Sequence, residues 1–436
     1  MRIHLTIVAL MGLVSPALAQ TPTPPEPPPA APPAPMPEPV PPAAPPALPP
    51  DGTTTPVIED VPPPLPAELP PKAAKPAGTA GFDKGFFIKS DDGKFSLKLN
   101  GRVQPFYTLT RTTEPRDYAS AFEIRRARLS LGGNIHSKQL SYKFQADFGK
   151  GFVSLKDFHA DLEVAEDTWI RVGQWKRPFS RQQINSSSKL EVTDRAITDK
   201  AFGAGRDIGI AIRNDYEKSP ELEWIVGVFN GTGDGSRIKS VTTIDDMTGD
   251  ATTVTTLPTN VPAKLKPALI ARVGLNRNGL KGYDEPDLEG GPLRWGVGAS
   301  VWLEGDYDDD DKSNQKVELD YIAKVEGFST SGGVYAQTEQ DGPGVADAAK
   351  SLVGFHVQAG YMAMPKLMQV VARYGLVSDL VADDKTARDQ QEISVGANYF
   401  GYGHDAKLAG AVRLIKTGDA GFTDVILFEL GTNIGF

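Results

Sequence analysis

Residues 95–109 read FSLKLNGRVQPFYTL. Phe95, Leu97, Leu99, Val103, Tyr107 and Leu109 share one parity, and Ser96, Lys98, Asn100, Arg102, Gln104 and Thr108 share the other. Successive side chains of a strand point to opposite faces, so this segment has one apolar and one polar face. The alternation recurs in sixteen segments, from 94–110 and 119–136 to 405–416 and 422–436. A soluble β-sandwich would pack one of those faces into a core. The polar parity is too charged for that, as in Ser141/Lys143/Gln145/Asp147, Asp157/His159/Asp161/Glu163 and Lys316/Glu318/Asp320/Lys324. Charges that face one another need water or partners. A closed barrel with its apolar face in lipid and a wet lumen meets both demands.

The connections point the same way. Odd-numbered ones are mostly long (175–205, 230–264, 305–313, 340–350, 378–389) and even-numbered ones mostly short (Ser137, 165–167, Gly327, Ala363 to Pro365). Long and short loops alternate in up-and-down outer-membrane barrels. The segment 277–291 is the exception, long where a tight turn is expected. An even strand count puts both barrel ends on the periplasmic side. The expected fold is an all-β, 16-stranded antiparallel transmembrane barrel over 81–436, preceded by a disordered Pro-rich segment.

The first eighty residues are of another kind. Arg2 and His4, the apolar run Leu5 to Val14, and Ala17-Leu18-Ala19 before Gln20 read as a secretory signal peptide over 1–19. Of the 37 prolines, 26 lie in residues 1–80. Proline fixes φ and removes a donor, so 20–80 reads as an extended polyproline spacer, about 190 Å if fully stretched. It is expected to be a passive leader or a periplasmic tether with a cell-wall contact.

Composition excludes much. There is no cysteine, hence no disulfide, zinc-thiolate site, iron–sulfur cluster or thiol nucleophile. A net charge of −9 argues against nucleic acid as a partner. The five histidines show no metal-ligand spacing. The acidic run Asp306 and Asp308 to Asp311 lacks EF-hand spacing and reads as a solvated loop. No Ser/His pair stands out for a barrel hydrolase, so no catalytic residue, metal or cofactor is expected.

Parity assigns Arg102, Arg126, Arg128, Lys143, Arg171, Arg213, Lys266, Arg272, Arg373 and Arg413 to the lumen, together with Asp147, Asp157, Asp161, Glu163, Glu304 and Glu429. That gives a polar channel of mixed sign. In the run Arg125-Arg126-x-Arg128, Arg125 falls on the outward parity. A bare Arg there costs about 2–4 kcal/mol at mid-bilayer, which leaves a rim position, a bulge or a subunit interface. The third long connection carries Lys176, Arg177, Arg181, Lys189, Arg195 and Lys200 against Glu191, Asp194 and Asp199. Two readings of it stand: a solvated outer loop, or a loop folded into the lumen whose cations attract anions.

Several stretches carry a family resemblance: Leu99 to Gln104; Phe122 to Leu129; Gly132-Gly133; Tyr142 to Phe148; Val172 to Phe179; Ser186-Ser187-Ser188-Lys189; Asp194-Arg195; and Arg206 to Gly209. With these the chain resembles the phosphate-selective porin O and P family. The terminal Phe436, in parity with Phe422, Ile426, Phe428, Leu430 and Ile434, is similar to the C-terminal signature of bacterial outer-membrane barrels. The resemblance implies a trimeric outer-membrane barrel that passes phosphate or other anions, with Arg102, Arg125 and Arg126 in the pore, Lys189 as the loop lysine and Asp194-Arg195 as the acidic–Arg pair. Arg128 joins them by parity. The expected partners are small phosphate-like anions, outer-membrane lipid and lipopolysaccharide, and two further copies of the chain. The alternative functions are a weakly selective porin and an envelope-linking barrel.

Overall fold

The computed structural model describes residues 79–113, 116–231, 233, 239–244, 251–256, 261–262, 265, 267–305, 313–340, 349–381, 388–422 and 424–436. The leader 1–19, the Pro-rich residues 20–78, the acidic run 306–311 and Lys266 lie outside that set. No helix among the described residues is long and apolar enough to cross a membrane.

Twenty strands are described, numbered in chain order. β1 (Thr79–Phe82) and β2 (Phe86–Lys89) form a short hairpin. Seven wall strands follow: β3 (Ser96–Thr112), β4 (Asp117–Ile135), β5 (Ser137–Asp147), β6 (Ser154–Ala165), β7 (Thr168–Lys176), β8 (Arg206–Arg213) and β9 (Leu222–Phe229). β10 (Lys239–Ile244) and β11 (Ala251–Thr256) form their own two-stranded sheet. Nine strands complete the wall: β12 (Ala268–Arg277), β13 (Arg294–Glu304), β14 (Ser313–Val325), β15 (Phe328–Gln340), β16 (Ala349–Met364), β17 (Met368–Asp379), β18 (Gln390–Tyr402), β19 (Ala406–Thr417) and β20 (Val425–Gly435).

The wall is antiparallel throughout. β9 pairs with β12, and β20 returns to β3 from Val425↔Thr112 to Gly435↔Arg102, so sixteen strands close a barrel. Where β20 has ended, β2 takes over the edge of β3, from Phe86↔Leu99 to Lys89↔Ser96. The sequence reading did not include this hairpin. The Phe86 ring lies 6.1 Å from that of the terminal Phe436. Tight turns use the left-handed region: Glu326 and Gly327 both have positive φ, as a two-residue type I′ hairpin requires.

Burial runs opposite to that of a soluble protein. On β14, Lys316 (7 % exposed) and Glu318 (1 %) alternate with Val317 (52 %) and Leu319 (65 %). The apolar set forms the outer surface and the charged set lines the inside. That arrangement is stable only where the outside is lipid and the inner charges find partners.

The inside is not uniformly wet, contrary to the expectation from parity. The connection 177–205 folds into the lumen and buries Phe179, Ile197 and Phe202 against the inward Trp175, Ile225, Phe229, Ile270, Trp302 and Tyr335. Phe202 stacks on Tyr335 with ring centres 5.1 Å apart, and Phe179 meets Trp302 edge-on at 6.2 Å. A Cβ at Gly354 would stand 2.7 Å from the Phe202 ring, so the wall leaves room for this side chain only with glycine there. Burying such rings contributes about 1.5–3 kcal/mol each. The loop is therefore rooted by a small dry core at one end of the lumen.

Candidate functional site

Two short helices, α1 (Arg181–Ile184) and α2 (Ile197–Ala201), frame the inner part of the loop. The carbonyls at the end of α1 would be left without donors. Cations fill that role: Lys176 Nζ donates to Ile184 O (2.9 Å) and Asn185 O (2.7 Å), and Arg195 donates to Gln182 O (2.9 Å) and Asn185 O (3.0 Å). Arg195 also lies 3.6 Å from Asp199. Asp194 stands beside Lys200 (3.3 Å) and Arg413 (3.8 Å). Burial opposes its ionisation, but Lys200, Arg413, Arg126 and Arg125 hold it well below the usual carboxylate range.

The far side of the lumen, β9 and β12–β20, is laced by matched charges that also tie down the loop. Arg272 grips Asp320 at 2.5 and 3.1 Å and Glu223 at 3.1 Å, and Arg181 donates to Asp320 at 2.6 Å. Arg373 and Arg413 share Glu392 at 2.5 and 3.1 Å. Arg373 also donates to the loop carbonyls of Asp194 (2.8 Å) and Arg195 (3.2 Å). Thr198 bonds His356 at 2.8 Å, and Lys407 reaches Leu190 O at 2.7 Å. On the near wall, Arg171 and Arg213 converge on Asp161, at 2.8 Å each. Five lumen arginines expected from parity are thus neutralised in place.

Between the loop and strands β3–β8 lies a chamber of ≈ 400 Å³. Lys84, Arg102, Arg128, Lys143, Arg171, Lys176, Lys189 and Arg206 line it, against Asp157, Glu217 and Asp405. Arg128, Lys143, Arg171, Lys189 and Arg206 are paired with carboxylates, which leaves Lys84, Arg102 and Lys176 as its lining cations without an ion pair among the described residues. Within it, Arg102 donates to three hydroxyls: Ser186 (2.7 Å) and Ser188 (2.8 Å) through Nη1, and Ser187 (3.0 Å) through Nη2. Arg126 donates to Gln104 Oε1 at 3.2 Å. Among the described residues neither guanidinium forms an ion pair, and neither does Lys176. A cation held by neutral oxygens keeps its full field, and hydroxyls add donors of their own.

The remaining expected residues stand differently. Arg128 is bound to Asp147 at 2.7 Å. It sits directly across from Arg102 in the β3–β4 ladder. Like charges facing across strands cost stability. Lys189 is 40 % exposed and 3.8 Å from Asp284. Arg125 does not follow its outward parity. The ladder slips from Gln104↔Arg126 to Pro105↔Ile124, leaving Arg125 as the extra residue of a bulge. Proline has no amide to offer the ladder, so a bulge opposite Pro105 loses nothing. Arg125 turns inward, pairs with Glu123 (2.8 Å) and Glu429 (2.9 Å) and lies 3.9 Å over the Phe106 ring. Glu429 in turn accepts from Thr193 of the loop at 2.6 Å. Sequence reasoning missed Glu223 and Glu392 as counter-ions and the serine triplet as the seat of Arg102. The run of three serines between two loop cations was the available signal.

Residues 97–404 match the family model of phosphate-selective porin O and P. The chain belongs to that family. No curated protein sequence matches it. Among solved structures, the anion-selective porin from Comamonas acidovorans is similar at 12 % identity and a TM-score of 0.50, covering 78 % of this chain and 99 % of its own. The outer membrane channel DcaP of Acinetobacter baumannii is similar at 16 % identity and a TM-score of 0.53, covering 82 % and 100 %. At these identities the likeness shows the fold, a closed sixteen-stranded porin barrel.

Proposed function

We propose that this porin is a passive outer-membrane channel for small anions, with phosphate preferred. The observation that carries this reading is Arg102, a lumen guanidinium seated on Ser186, Ser187 and Ser188 with no carboxylate partner. An entering anion meets Arg102 and Lys176, which line the chamber without an ion pair among the described residues, with Arg126 behind them. Guanidinium suits phosphate through paired hydrogen bonds. The serine hydroxyls can turn to donate to phosphate oxygens. The loop 177–205, rooted by Phe179 and Phe202, narrows the passage and fixes these groups. Conduction needs no energy source, and binding must be weak enough for release. Arg125, Arg128, Lys189 and Arg195 shape the field and hold the frame. Export through the leader 1–19, expected from the sequence, and assembly as a trimer, implied by the family resemblance, belong to the same reading.

The test is chloride current through single channels in a planar bilayer while phosphate is titrated. Phosphate is expected to block chloride current at concentrations far below those of the carrier salt. Chloride current indifferent to phosphate would discard the preference and leave a weakly selective porin.

A further inference from the structure

The connection 278–293, between β12 and β13, does not turn tightly. It folds back into the lumen and buries Leu280, Tyr283, Glu285 and Asp287. Its base is fixed: Asp287 accepts from Arg294 (2.5 Å) and from Gly327 N (2.9 Å). Its tip meets the lumen loop, which enters from the opposite end of the barrel. Glu285 N donates to Lys189 O at 3.3 Å, and Glu191 N donates to Glu285 Oε2 at 2.8 Å.

Two carboxylates therefore face each other where the segments touch. One amide nitrogen serves both: Gln358 Nε2 lies 2.8 Å from Glu285 and 3.0 Å from Glu191. Glu191 also accepts from Gln369 at 2.6 Å and from Ser329. Neither glutamate forms an ion pair among the described residues. The cations facing the junction are turned to carbonyls: Lys324 of β14 to Pro286 O (3.0 Å) and Lys407 of β19 to Leu190 O (2.7 Å). Asp284 is engaged by His404 (2.9 Å) and Lys189 (3.8 Å). Like carboxylates in such a site do not both ionise readily. The Ser329 hydroxyl, which also lies 3.4 Å from Gly360 O, can accept a proton-bearing Glu191 by turning its own hydrogen to that carbonyl.

We propose that this junction is a proton-released latch. A proton on Glu191, donated to Ser329, lets the loop tip and Lys189 stay in place beside Glu285; when that proton leaves to solvent, the two carboxylates repel and the passage widens. Glu285 acts here as a positioning residue for Lys189. The direction of pH dependence follows. Burial, then Glu285, pushes the Glu191 carboxyl up to about 7. A carboxyl raised above its free value favours the closed form in acid. That advantage fades as pH rises from the ordinary Glu range and is gone above about pH 7. The proposal rests on the chain being a conducting channel but not on its selecting anions.

Single-channel conductance of the full-length protein is the test, recorded in symmetrical KCl from about pH 5 to about pH 8.5. Wild type is expected to gain conductance through about pH 7. Glu285→Gln and Glu191→Gln should each lose that step, and a heat-modifiable band on gels shows that they are folded. A flat wild-type profile, or an undiminished step in either folded variant, would overturn the latch. Failure of both variants to fold would also overturn it, because each amide mimics the protonated, closed form and keeps a carbonyl to accept from Gln358. Absence of any wild-type conductance would overturn the channel reading with it, whereas conductance without anion preference leaves the latch standing.

Discussion

The two sides of this lumen carry similar side chains in opposite states. Across β12–β20, Arg272, Arg373 and Arg413 are at most 3 % exposed and each is gripped by carboxylates of the wall. Along β3–β8, Arg102 and Arg126 rest on hydroxyls and an amide. Arg373 and Arg413 fasten the loop to the barrel, and Arg272 holds Asp320, to which the loop's Arg181 binds. On the proposed reading, the second set leaves its charge available to a solute. On that reading, the placement of counter-ions, more than the number of arginines, sets the selectivity of this pore.

The largest effect separating the two sides should come from Arg272→Met. It would leave Asp320, Glu223 and Glu318 with Arg181 as their one remaining cation among the described residues in a dry site, a loss of about 3–5 kcal/mol, and the heat-resistant folded band should disappear or melt far earlier. A folded, normally conducting variant would erase the distinction drawn between fastening and field-setting arginines. Replacing Ser186, Ser187 and Ser188 together by Ala is gentler. Water can still reach Arg102 in the chamber, so the fold should persist, while phosphate block weakens about tenfold, or about 1.4 kcal/mol. An unchanged block would show that the serines hold the loop and nothing else. Lys189→Ala should do least, since Asp284 and solvent already screen that amine. A change in block within about 1 kcal/mol is expected, and a larger one would move Lys189 into the binding set.

The wall was legible because its signal is local. Each strand alternates by itself, and the sixteen expected segments fall on β3–β9 and β12–β20. Local alternation also hid what the structure corrects. Arg125 faces inward because the ladder slips opposite Pro105, and a bulge leaves no trace in parity. The dry root of the loop was invisible because Phe179, Ile197 and Phe202 follow no period and find partners on strands far along the chain. The same holds for the site. Arg102, Arg126 and the loop cations could be named from sequence, but their counter-ions come from other strands. The long connection 278–293 stood out by length, and only the fold shows where it goes. β1 and β2 were missed because four-residue strands carry too little pattern.

The most direct test is the zero-current potential of single channels across a salt gradient, measured for the wild type and for Arg102→Glu/Arg126→Glu. Wild type should favour anions. The double variant, which leaves Arg272, Arg373 and Arg413 in their pairs, should lose or reverse that preference while remaining folded. A cation-preferring wild type, or a double variant with unchanged selectivity, would contradict the account.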